Sequence, residues 1–130
     1  MDAERELPWR RPLLGVLTLG FAGFGAAYAL LPTDMAALTG IILPDGSATI
    51  DFAATYGGLQ LGLAAFLAIC LSREELIRPG LMAGGWTLAG IAAVRLTGIT
   101  MDGGDVIPML YFGLTLELAG AVLLLLASRR

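Results

Sequence analysis

The chain has 130 residues, 57% of them hydrophobic and 15% charged, with a mean hydropathy of +0.80, and a water-soluble domain of this size needs far more polar surface to cover itself. The net charge is −3, and all 8 basic residues are scattered arginines, so no basic patch suited to nucleic acid exists. Histidine is absent and Cys70 is the sole cysteine, which excludes an intrachain disulfide and leaves no metal constellation or cofactor motif.

Four long apolar runs predict an all-α, single-domain bundle of four transmembrane helices over residues 1–130, with spans near 13–31, 52–71, 80–99 and 106–127. The tail before the first span holds Pro8, Pro12 and Trp9, the last suited to the headgroup level. Arg10 and Arg11 before an apolar stretch, with Ala27-Tyr28-Ala29 as a small-x-small triplet, resemble a cleavable leader. Asp2, Glu4 and Glu6 are foreign to such a leader and the apolar run continues through Leu31, so a retained span is expected. Pro32 ends it, and Thr33 is placed to cap a short surface helix terminated at Gly40. Pro44-Asp45-Gly46 reads as a turn, with Asp51 or Thr49 as N-cap of span two. Cys70, near the end of that span, reads as a small apolar residue. Ser72-Arg73-Glu74-Glu75 is a tight link that Ser72 is placed to cap, Asp102-Gly103-Gly104-Asp105 is a turn, and Pro108 is tolerated in the first turn of span four. Leu38-Thr39-Gly40-Ile41 and Leu96-Thr97-Gly98-Ile99 look alike, but one lies outside a span and the other within; the likeness is treated as chance.

Arg5, Arg10, Arg11, Arg73, Arg78, Arg129 and Arg130 flank the spans on one side of this pattern, whereas the other connections carry only Asp34, Asp45, Asp51, Asp102 and Asp105. Positive flanks stay cytoplasmic, so both termini are expected inside. Small residues let helices approach closely in lipid. Gly20 and Gly23, Gly57, Gly58 and Gly62, Gly80 and Gly84, and Gly113 and Gly120 are the expected packing positions, with spans two and three meeting at Gly58 and Gly62.

Arg95 and Glu117 are the ionisable residues inside apolar runs. Side chains lean toward their own helix N-terminus, so Arg95 leans inward from span three while Gln60 and Glu117 lean outward from spans two and four. The expectation is one polar layer of Arg95, Glu117, Gln60 and Tyr56, with Asp51 and Asp102 at its mouth as caps or additions. Such a layer is either a salt bridge that fixes helix order or a site for a polar small molecule.

These residues also resemble a known family. Phe52-Ala53-Ala54-Thr55-Tyr56-Gly57-Gly58-Leu59-Gln60-Leu61-Gly62, Arg95-Leu96-Thr97-Gly98 with Asp102-Gly103, and Glu117 in the last span are similar to a domain of unknown function, family 4345, small bacterial four-helix membrane proteins. The resemblance implies the fold and an inner-membrane location, and no activity. Members often carry an arginine before Tyr-Gly-Gly; Ala53 stands there. The expected role is non-catalytic: an accessory or assembly subunit of a membrane complex, partnered by lipid and by other subunits or its own copies. The alternative is a small-molecule or lipid-binding protein or minimal transporter built on Arg95 and Glu117. With no histidine, no reactive cysteine and no metal set, enzyme chemistry is not expected.

Overall fold

The computed structural model describes residues 8–129; Arg5 and Arg130, the acidic residues 2, 4 and 6, and the rest of the tail before Pro8 lie outside the described residues. Every described element is helical. These are α1 (Arg10–Leu30), α2 (Pro32–Leu38), α3 (Gly46–Phe52), a π-helical segment (Ala53–Gly58), α4 (Leu59–Ser72), α5 (Glu74–Met101) and α6 (Pro108–Ser128). Helix α3, the π segment and α4 run on as one rod over Gly46–Ser72.

Three of these helices are long and apolar enough to cross a membrane: Arg10–Leu30, Gly46–Ser72 and Pro108–Ser128. Four were expected. Helix α5 falls short because Arg95, Thr87, Thr97 and several glycines dilute its apolar residues, although at 28 residues it is the longest.

Local chemistry explains the helix ends. Asp45, not Asp51 or Thr49, caps the second rod: its Oδ1 accepts from the Ala48 N–H at 2.9 Å, and the helix begins at Gly46, six residues before the expected span. Asp51 is exposed within the helix and Thr49 Oγ1 donates back to the Asp45 carbonyl. Leu31 precedes α2 with no side-chain cap, so Thr33 is not one; Pro32 at the first helical position supplies the start. Arg73, without a side-chain cap, precedes α5 in place of Ser72, whose hydroxyl donates to the Ile69 carbonyl. Helices α2 and α5 both end in paired reverse bonds across a left-handed glycine. Gly40 N–H donates to Ala37 and Ile41 N–H to Ala36; Gly103 N–H donates to Thr100 and Gly104 N–H to Ile99. Both are Schellman closures, which need a residue without Cβ at positive φ. Gly98 lies in the last turn of α5 without positive φ, so it does not share the closing role of Gly40.

Cβ positions give the packing. Gly15 meets Leu71, Gly25 meets Leu61, and Gly57 meets Ala29, so α1 and the second rod run antiparallel. Gly84 and Gly85 face Leu124 and Leu125, Gly120 faces Leu88 and Gly113 faces Arg95, so α5 and α6 run antiparallel. Gly80 rests on Cys70 and Leu14, and Gly84 on Leu17, which joins the two hairpins. All described helix ends bearing arginine therefore lie at one end of the bundle. There Arg11 bridges Glu74 at 3.3 Å and donates to the Leu71 carbonyl, while Arg78 Nε donates to the Ser128 carbonyl at 2.9 Å. The main apolar core, with Leu14, Leu67, Cys70, Leu81 and Leu124 sealed, also sits at this end.

The glycine pattern differs from expectation. Gly20, Gly23, Gly58 and Gly62 meet nothing within 4 Å of an added Cβ, so they are not packing positions in the chain. The close approaches are at Gly25, Gly57, Gly80, Gly84, Gly85 and Gly120. A four-residue spacing finds a helix face, and glycine is equally at home on a face that looks outward.

Candidate functional site

The hairpins join tightly at the arginine-bearing end and separate toward the aspartate end. Helix α6 packs chiefly on α5, and α1 chiefly on the second rod. The separation leaves a lateral groove of about 640 Å³. Tyr56 lines it from the second rod; Arg95 lines it from α5 with Gly90, Ile91, Val94, Gly98 and Ile99, and Leu110 from α6.

Register explains how Arg95 finds Glu117. Arg95 lies across from Gly113, and Glu117 is one helical turn farther along α6. The guanidinium leans back toward the start of α5 and the carboxylate back toward the start of α6, and because the helices run opposite ways the two converge. Arg95 Nε donates to both carboxylate oxygens, at 2.9 and 3.2 Å, and Nη2 donates to Oε1 at 2.7 Å. Two parallel bonds in this fork are the strong form of the pair. An added Cβ at Gly113 would lie 3.6 Å from Arg95 Cζ, an ordinary van der Waals distance, so Gly113 faces the ion pair but alanine would fit there as well.

The pair is asymmetric. Glu117 is 13% exposed and sealed against α5, whereas Arg95 is 29% exposed and opens on the groove. Arg95 Nη1 makes no hydrogen bond among the described residues, and Nη2 spends one of its two hydrogens. The guanidinium therefore keeps three unspent donors.

Across the groove stands an aromatic cluster that the sequence does not signal. Tyr28 of α1 stacks on Tyr56 at 5.7 Å between ring centroids, Phe52 tilts against Tyr56 at 4.6 Å, and Tyr28 meets Phe52 at 5.6 Å. Both tyrosines lie within electrostatic range of Arg95, and neither phenol makes a hydrogen bond among the described residues. In the sequence Tyr28 is only the last aromatic of span one, with no polar companion to mark it.

The π segment separates Tyr56 from Gln60. A π turn inserts an extra residue and rotates the helix on its N-terminal side relative to the helix on its C-terminal side. Gly57 is thereby pressed on Ala29 and Tyr56 is turned to the groove, while the Gln60 Cβ packs beside Gly25 on the α1 seam. Gln60 makes no side-chain hydrogen bond among the described residues, so it does not join Arg95 and Glu117. Asp51 and Asp102 are exposed and likewise make no contact with Arg95. Of the expected layer, the structure brings Arg95, Glu117 and Tyr56 together and leaves Gln60, Asp51 and Asp102 apart. Among the described residues no group of histidine, cysteine or carboxylates is placed to hold a metal ion.

The model of a family described as a domain of unknown function (DUF4345) matches residues 10–128, and the chain belongs to this family. No curated protein and no solved structure matches it.

Proposed function

We propose that this member of the DUF4345 family is a four-span protein of a bacterial inner membrane that binds a small amphiphile in the groove beside Arg95. Helix α5 is the fourth span in this reading. Its 28 residues extend about 42 Å at 1.5 Å per residue, enough to cross a hydrocarbon core of roughly 30 Å. Arg95 is the obstacle to insertion, and Glu117 neutralises it once α5 and α6 pair. Arginine at one end and aspartate alone at the other supports cytoplasmic placement of both chain ends.

The observation that carries the binding role is the unspent edge of Arg95 facing an apolar groove. Donors without acceptors at membrane depth cost free energy, and a headgroup with oxygen acceptors relieves that cost. A pair that served architecture alone would gain by closing the groove. The reading is of binding without catalysis, because both Glu117 oxygens are committed to Arg95 and, among the described residues, no second base is bonded to the pair. It places the small-molecule site ahead of the accessory-subunit role, because a groove with unspent donors is not something helix docking calls for.

Purification from native membranes in mild detergent, followed by native mass spectrometry, tests this. The expected result is a non-protein adduct near one per chain. Stoichiometric co-purification of other membrane subunits with no adduct would overturn it in favour of the accessory role.

A further inference from the structure

We infer that the occupant is an uncharged amphiphile whose headgroup presents a carbonyl oxygen; the inference rests on the groove being the binding site. Three features of the groove define its chemistry. Arg95 brings no net charge to the ligand, because Glu117 holds it through three hydrogen bonds of 2.7–3.2 Å. The connections at the aspartate end hold Asp34, Asp45, Asp51, Asp102 and Asp105 and, among the described residues, no arginine or lysine, so their potential disfavours an anionic headgroup. What remains is hydrogen-bond donation: the Arg95 Nη1 edge and the Tyr56 hydroxyl, both unspent among the described residues.

A complementary headgroup accepts hydrogen bonds and carries no charge. An ester or ring carbonyl does this, within reach of the Tyr56 hydroxyl that lines the groove. A phosphate or carboxylate asks for a cation that Glu117 has already claimed. The rest of the groove is aliphatic, from Ile91, Val94, Ile99, Val106 and Leu110. Gly90 and Gly98 meet nothing within 4 Å, which leaves a channel for a hydrocarbon tail. The volume of about 640 Å³ falls in the range of small-molecule sites. The lateral opening lets a tail run out among neighbouring acyl chains.

The test uses the full chain in phosphatidylcholine nanodiscs, offered equal mole fractions of 1-monooleoylglycerol and 1-oleoyl-glycerol 3-phosphate. These share the oleoyl ester and differ by the phosphate. Native mass spectrometry reads the bound species. The expected preference is about fivefold or more for the uncharged ester, the scale of one well-made hydrogen bond against an unmatched charge. Tyr56→Phe keeps the ring and removes the donor, and should lower ester occupancy about fivefold. Glu117→Gln frees the Arg95 charge and should turn the preference toward the phosphate; if that variant does not fold, the wild-type competition and Tyr56→Phe decide alone. Equal binding, or a wild-type preference for the phosphate, overturns the uncharged headgroup and leaves the groove as a site. Failure of both probes to bind overturns the groove reading and this inference with it.

Discussion

Gly57→Ala is the most economical perturbation of the bundle, because the structure defines what the added methyl meets. Its Cβ would lie 2.7 Å from the Ala29 backbone nitrogen and 2.9 Å from the Ala29 Cα and Cβ. These are backbone or short side-chain atoms, so the helices themselves must part. Overpacking of this kind costs about 1–3 kcal/mol. Gly58 is the control, one residue along the same rod, with nothing within 4 Å of its Cβ. Alanine there gains about 0.5–1 kcal/mol of helix preference over glycine and meets no clash. Both changes gain the same helix preference, so the two variants should differ by the overpacking cost alone, about 1–3 kcal/mol, with Gly58→Ala the more stable. Unfolding in mixed micelles of dodecyl sulfate and a mild detergent, followed by circular dichroism, measures it. Equal effects at both positions, or a stabilised Gly57→Ala, would refute the seam between α1 and the π segment.

Three further outcomes are expected. Gly84→Leu should abolish folding while Gly62→Leu is tolerated, because Leu17 fills the space over Gly84 and nothing stands over Gly62; expression and monodispersity in detergent separate them. In a double-mutant cycle, Arg95→Leu and Glu117→Leu should each cost up to about 3–5 kcal/mol, less where the unfolded spans find other partners, and the double variant should regain much of the loss; additive losses would contradict the coupling. Cysteine at exposed Ser47 should label from outside intact cells and cysteine at exposed Arg129 should not, with buried Cys70 silent; outside labelling of Arg129→Cys would contradict the orientation.

Much of the architecture is legible in the sequence because its determinants are local. Pro32, Gly40 and Gly103 set helix ends by covalent geometry and by positive φ, and each does so in the structure, whereas Pro108, expected inside the first turn of a span from 106, is itself the first helical residue. The approach of Arg95 to Glu117 follows from helix direction, since side chains lean toward their own N-terminus and the two helices run opposite ways. Other features depend on information the spacing lacks. Which glycines face a neighbour is settled by helix rotation, so Gly58 and Gly62 look outward while Gly25 and Gly57 carry the seam. The π segment breaks the four-residue rule that pairs Tyr56 with Gln60, and no residue type announces it. The Asp45 cap is hidden inside an apparent turn, because Pro44-Asp45-Gly46 serves a turn and a helix start equally well. Tyr28 and Phe52 join the site through long-range packing between α1 and the second rod, which single-sequence periodicity does not reach.

The central claim is that the groove beside Arg95 is occupied, and Gly98→Leu tests it most directly. Gly98 lines the groove and has open space over it, so leucine fills the channel without a clash and improves helix preference. Wild type and variant are purified in parallel from native membranes, and native mass spectrometry reads the bound amphiphile on each. The account predicts a folded variant at least as stable as wild type, an adduct on the wild-type chain and its loss from Gly98→Leu. An equal adduct on both folded proteins would contradict it.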